Sequence, residues 1–308
     1  MLKQLGLACL LAMAACSQAE QDAIETAEPD AEPSAEARTE PSAAIEALQM
    51  YILDCGVVEV SNLDVFSTAG DYAGQMAAFG NSCFLIRHPN GDLIWDLGLP
   101  TELAGTEPQQ TNIFTVSMSF TITEQLTELG LMPDDIEYIS ISHSHFDHSG
   151  QAGQFPNSTW IVHAEEYALM FPPISEESGA AADDQTDNPA QNPFVDFAAL
   201  ETEQFTGEKD VFGDGSVIIY STPGHTPGHT SLLVNLPEAG PMLLTGDLYH
   251  RRESRALKRV PSFNHDEAQT LASMEVFEAL ATETDARVVI QHSAEDLAEL
   301  PATPNPIR

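Results

Sequence analysis

The sequence predicts an α/β fold, with helices lying outside sheets, in one domain of about 260 residues at the upper end of usual domain size. Two observations predict it. From Met50 onward, short apolar runs rich in Val and Ile alternate with Gly, Pro and Asn turns. Those runs mix hairpin pairs with strand-to-helix passages, and no internal repeat of fixed solenoid period is visible. An apolar fraction of 43% over 308 residues supplies a sizeable core.

In chain order, "CFLIRHPNGDLIWDLG" reads as a hairpin: a strand to Arg87, a turn at Pro89, Asn90 and Gly91, and a strand from Leu93 to Asp96. "TITEQLTELGL" has helical spacing and stops at Gly130, and "DDIEYISIS" is a buried strand. "STWIVHAEEYALMF" passes from strand to helix, and "GSVIIYSTPGH", "HTSLLVNL" and "PMLLTGD" are three more strands set apart by Gly and Pro turns. "NHDEAQTLASMEVFEALATE" is an amphipathic helix capped by Asn264 or Asp266, and "ARVVIQHS" closes the pattern as a strand. The acidic, Pro-rich stretch between Met170 and Phe197 interrupts this order as a long loop.

The domain occupies residues 48–308. Ahead of it, Lys3 precedes "LGLACLLAMAA", apolar but too short to span a bilayer and typical of a secretory signal. It ends in small residues followed by Cys16, and so resembles a bacterial lipoprotein signal over residues 1–16, with plain secretion as the alternative. Residues 17–47 are Ala, Glu, Pro and Ser with almost no large apolar side chain, which predicts a disordered acidic tether. The expectation is an exported bacterial protein, periplasmic or an outer-membrane lipoprotein, meeting the membrane only through a lipid on Cys16. The formal charge of -37 argues against nucleic acid or an anionic membrane surface as a partner, since both would be repelled. Cys55 and Cys83 remain in the domain, either as one disulfide or as two buried thiols.

Chemistry enters at "SISHSHFDHSG", residues 140–150, where His143, His145, Asp147 and His148 fall within six positions. Three further positions close predicted strands: His225 after "YSTPG", Asp247 after "LLTG" and His292 after "VVIQ". Five imidazoles and two carboxylates without a thiolate suit zinc, with manganese, iron or cobalt as other divalent choices. Seven ligands exceed one tetrahedral ion and suit two, if one carboxylate bridges. "TPGHTPGH" offers His225 or His229, of which His225 directly follows the strand and its Pro-Gly turn.

"HSHFDH", followed in order by "TPGHTPGHTS", "TGD" and "QHS", resembles the metallo-β-lactamase superfamily over about residues 50–308. The resemblance implies a four-layer αββα sandwich. It implies that His143, His145 and His225 bind a first metal, that Asp147, His148 and His292 bind a second, and that Asp247 bridges them. It assigns His229 to a supporting or satisfied core role, and Asp96 of "LIWDLG" to support of a ligand histidine from behind. Two zinc ions about 3.5–4 Å apart would share a bridging hydroxide that attacks an electrophilic carbonyl or phosphorus. Asp147 would pass the proton to the leaving group.

Within the superfamily, "YILDCG", "GDLIWDLGLP", "LLTGDLYH" and "VVIQHSAEDLAELP" resemble the N-acyl-homoserine lactonases, the quorum-quenching branch. The implied reaction is opening of a small-molecule lactone ring. Another hydrolase of the same fold, a β-lactamase, thioesterase or phosphodiesterase, is the alternative. Tyr249, two residues after Asp247, is a candidate donor to the lactone carbonyl, against a reading as a packed tyrosine. Arg251, Arg252, Arg255, Lys258 and Arg259 leave three readings open: attraction of an anionic product, an anchor for a second subunit in a homodimer, or pairing with surface acids. The 170–197 stretch is the expected wall or lid of an apolar groove, with a disordered acidic surface loop as the alternative.

Overall fold

The computed structural model of the protein describes residues 46–173 and 192–308, so the expected signal peptide and nearly all of the expected tether lie outside the described residues. Thirteen strands form two sheets among these residues. The first joins β1 (Gln49–Val60), β2 (Ala77–His88), β3 (Gly91–Trp95), β4 (Gln109–Thr111), β5 (Phe114–Ser117), β6 (Tyr138–Ser140), β7 (Thr159–His163) and β8 (Glu201–Phe205), in the spatial order β4-β5-β1-β2-β3-β6-β7-β8. The second joins β9 (Glu208–Asp210), β10 (Val217–Ser221), β11 (Thr230–Leu236), β12 (Gly240–Leu244) and β13 (Arg287–Val289), in the order β13-β12-β11-β10-β9. Hairpin pairs are antiparallel, whereas β3-β6, β6-β7, β7-β8 and β12-β13 run parallel.

The period-2 alternation of strands sorts side chains into layers. Along β2, Phe84 and Ile86 point into a core between the sheets, where they meet Ile219, Leu232, Val234 and Leu244. Leu85, between them, points to the opposite face and packs with Ile122 and Leu126 of α1 (Ile122–Glu128), Met170 of α2 (Ala164–Met170) and Phe197 of α3 (Val195–Ala198). The second sheet repeats the device: Leu233 and Leu243 face away from the inter-sheet core, onto Met274 and Phe277. The arrangement is helix, sheet, sheet, helix, the expected four-layer sandwich.

Local chemistry sets the boundaries. Thr121 closes a capping box with Glu124 at the start of α1, and the helix stops ahead of Gly130 as its spacing predicts. The basic segment folds as α4 (Arg252–Leu257), a helix the sequence did not announce. Asp266 caps α5 (Glu267–Thr284), whose buried face is Thr270, Ser273, Met274, Phe277 and Ala281. A short α6 (Ala294–Ala298) follows β13. Cys55 and Cys83 form a disulfide between the neighbouring strands β1 and β2, which settles the open alternative. Among the described residues no helix is long and apolar enough to cross a membrane.

Candidate metal centre

Strand ends of both sheets converge on one site. β6 ends at Ser140, and the chain then turns through residues 141–148, closed by the His148 N–H donating to His145 O at 3.0 Å. His225 lies in the loop from β10 to β11, Asp247 in a 3₁₀ turn at Gly246–Leu248 after β12, and His292 just beyond β13. Their ligand atoms form two groups, His143, His145, His225 and Asp247 in one and Asp147, His148 and His292 in the other, each within 4.8 Å. Asp247 faces both. Its Oδ2 lies 3.5 Å from His143 Nε2 and 3.4 Å from His225 Nε2, while Oδ1 lies 3.3 Å from His148 Nε2 and 2.9 Å from His292 Nε2.

Four imidazoles of the two groups turn Nε2 inward, and each is tied by Nδ1 behind. His148 Nδ1 meets Asp96 Oδ2 at 2.9 Å, His292 Nδ1 meets Gly80 O at 2.8 Å, His225 Nδ1 meets Asn264 Oδ1 at 3.0 Å and His143 Nδ1 meets Ser142 Oγ at 3.0 Å. Such partners fix ring orientation and tautomer. Asp96 does more: its carboxylate also accepts the Ser142 N–H at 2.6 Å and the Gln291 amide at 2.6 Å, at a positive φ of 62°. His229 is buried outside both groups. Its Nε2 accepts the Asp247 N–H at 2.9 Å and its Nδ1 donates to Thr222 O at 3.0 Å, so it supports Asp247 from behind.

The residues fit a pair of divalent cations. Asp247 Oδ1 is buried without a hydrogen-bond partner despite the imidazoles beside it. Inward nitrogens also crowd one another, His143 Nε2 and His225 Nε2 at 2.8 and 3.0 Å from His145 Nδ1, and His148 Nε2 at 3.2 Å from His292 Nε2. Divalent cations would supply the missing partner for these lone pairs. Burial and neighbouring imidazoles hold His143 well below the usual range and bring His145 to about 4, which leaves both neutral and able to ligate at neutral pH. Burial alone would raise Asp247, but the histidines around it, His250 and His148 first, hold it well below the usual carboxylate range.

A cavity of about 360 Å³ opens on this centre. Val58, Phe66, Phe79, Phe114, Phe146 and Phe263 contribute its apolar wall, and His145, Asp147, Asp247, His250 and His292 its polar end. Among the described residues that line it none is lysine or arginine. The sequence predicts this wall, or a lid over it, in the 170–197 stretch. Residues 174–191 lie outside the described residues, and the flanking Met170, Phe171, Phe194 and Phe197 pack in the core beneath the first sheet instead.

Tyr249 requires a correction. Its hydroxyl donates to Glu278 Oε1 at 3.0 Å, its ring packs edge-on to Phe277, and it does not line the cavity. The physical reason is local backbone: the tight turn ends at Leu248 and Tyr249 follows it in extended conformation (φ -140°, ψ 130°), so the Tyr249 and His250 side chains leave on opposite sides. His250, not Tyr249, therefore shares the site with Asp247, its Nε2 lying 3.0 Å from Asp247 Oδ2. His250 and Asn264 were the functional contributors that sequence reasoning missed. The order "GDLYH" carries the only signal for the first, and needs the turn's phase to be read. The basic segment pairs with acids throughout: Arg252 with Asp296 and Glu299, Arg255 with Glu278, Lys258 with Glu275, Arg259 with Asp71, and Arg251 with Glu253.

Comparison with known proteins agrees with this geometry. The profile of the metallo-beta-lactamase superfamily matches residues 76–292. N-acyl homoserine lactonase AttM of Rhizobium radiobacter is 30% identical over 268 residues, covering 83% of this chain and 97% of the relative. AttM of Azorhizobium caulinodans is 33% identical over 216 residues, covering 68% and 80%. Among solved structures, an N-acyl homoserine lactone hydrolase with N-hexanoyl-L-homoserine at its catalytic metal center superposes with a TM-score of 0.71 at 22% identity, over 85% of this chain and 100% of its own. AidC, a dizinc quorum-quenching lactonase, superposes with a TM-score of 0.59 at 18% identity, over 80% and 89%.

Proposed function

This chain belongs to the metallo-beta-lactamase superfamily, and from that premise we propose that it is a binuclear metal hydrolase opening the lactone ring of N-acyl homoserine lactones. The observation that carries the reading is the apolar cavity ending directly on the two ligand groups. An acyl chain fits its phenylalanine wall, which also keeps water off the reacting carbonyl. No lysine or arginine among the described lining residues waits for a phosphodiester's charge, which favours a neutral lactone.

His143, His145 and His225 would hold one cation, Asp147, His148 and His292 the other, and Asp247 both; we propose zinc for the pair, as in the dizinc neighbour. When bound, the cations polarise the carbonyl and furnish a nucleophile at neutral pH. The chain's residues do the rest. Asp147, at the polar end of the cavity, would take a proton from the attacking water and pass it to the ring oxygen as the bond from that oxygen to the carbonyl carbon breaks. The balance is addition of one water, giving a carboxylate, a hydroxyl and one released proton. The His250 ring stands beside Asp247 on the same wall.

Purified protein lacking residues 1–47, loaded with zinc or cobalt, is expected to acidify a weakly buffered lactone solution. Run beside nitrocefin, a thioester and a phosphodiester, the lactone should be the preferred substrate; protein that binds two metals and leaves several acyl chain lengths intact would refute the assignment. Asp147→Asn should lower kcat by at least about 100-fold with metal retained, and unchanged turnover removes its role. We also propose that the protein is exported and lipid-anchored at Cys16, which the signal-like residues 1–16 and the Cys55–Cys83 disulfide support.

A further inference from the structure

One buried carboxylate outside both ligand groups joins the two loops that carry the first. Glu166 lies in the first turn of α2 and is 1% exposed. Its Oε1 accepts the Ser144 N–H at 2.6 Å, and Ser144 stands between His143 and His145. Its Oε2 accepts the Thr226 hydroxyl at 2.7 Å and the Gly228 N–H at 3.1 Å, and Thr226 directly follows His225. The approach of the second loop is as close as backbone allows: a Cβ at Gly228 would lie 2.2 Å from Glu166 N.

A buried carboxylate is costly unless hydrogen-bonded, and here all three donors come from the two ligand loops. The other group is anchored elsewhere, His148 on Asp96 and His292 on Gly80 O. We propose that Glu166 is the positioning residue of the three-histidine group: it sets the spacing of two loops so that His143, His145 and His225 converge on one ion, and it places a negative charge behind that ion. This rests on the metal reading of the centre, not on the lactone.

Glu166→Gln keeps the side chain's shape and replaces one acceptor oxygen by an NH2 group that cannot accept. Cobalt titration of the folded protein, followed by visible absorption and by metal content after dialysis, reads the two groups apart. The expected result is about 10–100-fold weaker cobalt binding with an altered spectrum at the three-histidine group, and a smaller change at the other. Thr226→Val, which removes one donor and leaves the carboxylate in place, should move the same group in the same direction by less. Wild-type affinity and spectrum in Glu166→Gln overturn the proposal. Should that variant fail to fold, unchanged binding in Thr226→Val overturns it instead. Wild-type protein that binds no divalent metal sinks the metal reading and this proposal together, whereas failure to turn over a lactone touches neither cobalt result.

Discussion

Asp247 and His250 face the cavity while Tyr249, between them, faces Glu278 and Phe277 on α5. Burial and the Glu278 carboxylate push the Tyr249 phenol above its usual range, so it remains a neutral donor to that carboxylate. Tyr249→Phe should therefore leave kcat/KM for a lactone unchanged and lower stability by about 0.5–1.5 kcal/mol in urea unfolding; a 100-fold loss of kcat would show that the hydroxyl reaches the reacting centre. The seven residues of the two groups are legible in the sequence because their type and strand-end positions survive without coordinates. Tyr249 was misread because its direction depends on the phase of one turn. Glu166 was invisible because nothing local distinguishes it from Glu165.

At the scale of elements, the cavity wall comes from β1 through Val58, β5 through Phe114, the 63–66 turn through Phe66 and the 261–263 loop through Phe263. Phe146, in the middle of the histidine motif, is 45% exposed at the mouth and packs against Phe114 with ring centroids 6.2 Å apart. Phe146→Ala should lower kcat/KM for a decanoyl lactone about tenfold or more, in line with about 1.5–3 kcal/mol for burying such a side chain, and change a butanoyl lactone little. Equal losses on both chains would place the acyl group elsewhere. Long apolar strands and α1 could be read from period and caps, whereas α5 could be read from its Asp266 cap and length, since Thr270 and Ser273 on its buried face blur the apolar period. Helices α4 and α6 could not, since a basic run or a five-residue segment has no apolar period, and both are held by ion pairs between Arg252 and Asp296 or Glu299. The observed wall is not visible in the sequence, because proximity along the chain is visible there and assembly from six segments, β2 through Phe79 and the histidine motif through Phe146 included, is not.

At the scale of the whole molecule, 48 acidic residues face 11 basic ones, and the five bases of the 251–259 segment each meet an acid. The disulfide closes a sequence separation of 28 residues, which in the chain-entropy account contributes about 3–4 kcal/mol. That contribution needs an oxidising compartment, consistent with the proposed export. Cell fractionation tests it: the full-length protein should sediment with membranes and show no free thiol at Cys55 or Cys83, and Cys16→Ser should shift it to the soluble fraction. A reduced, soluble wild-type protein would refute the anchor.

The distribution of ligands between the sheets has a consequence for how the two sheets hold together. His143, His145, Asp147 and His148 follow a strand of the first sheet, whereas His225, Asp247 and His292 follow strands of the second. Each ion group draws on both. Neither sheet can hold a complete group alone. A cation held there would act as a latch between the two sheets, and its binding free energy would add to their docking.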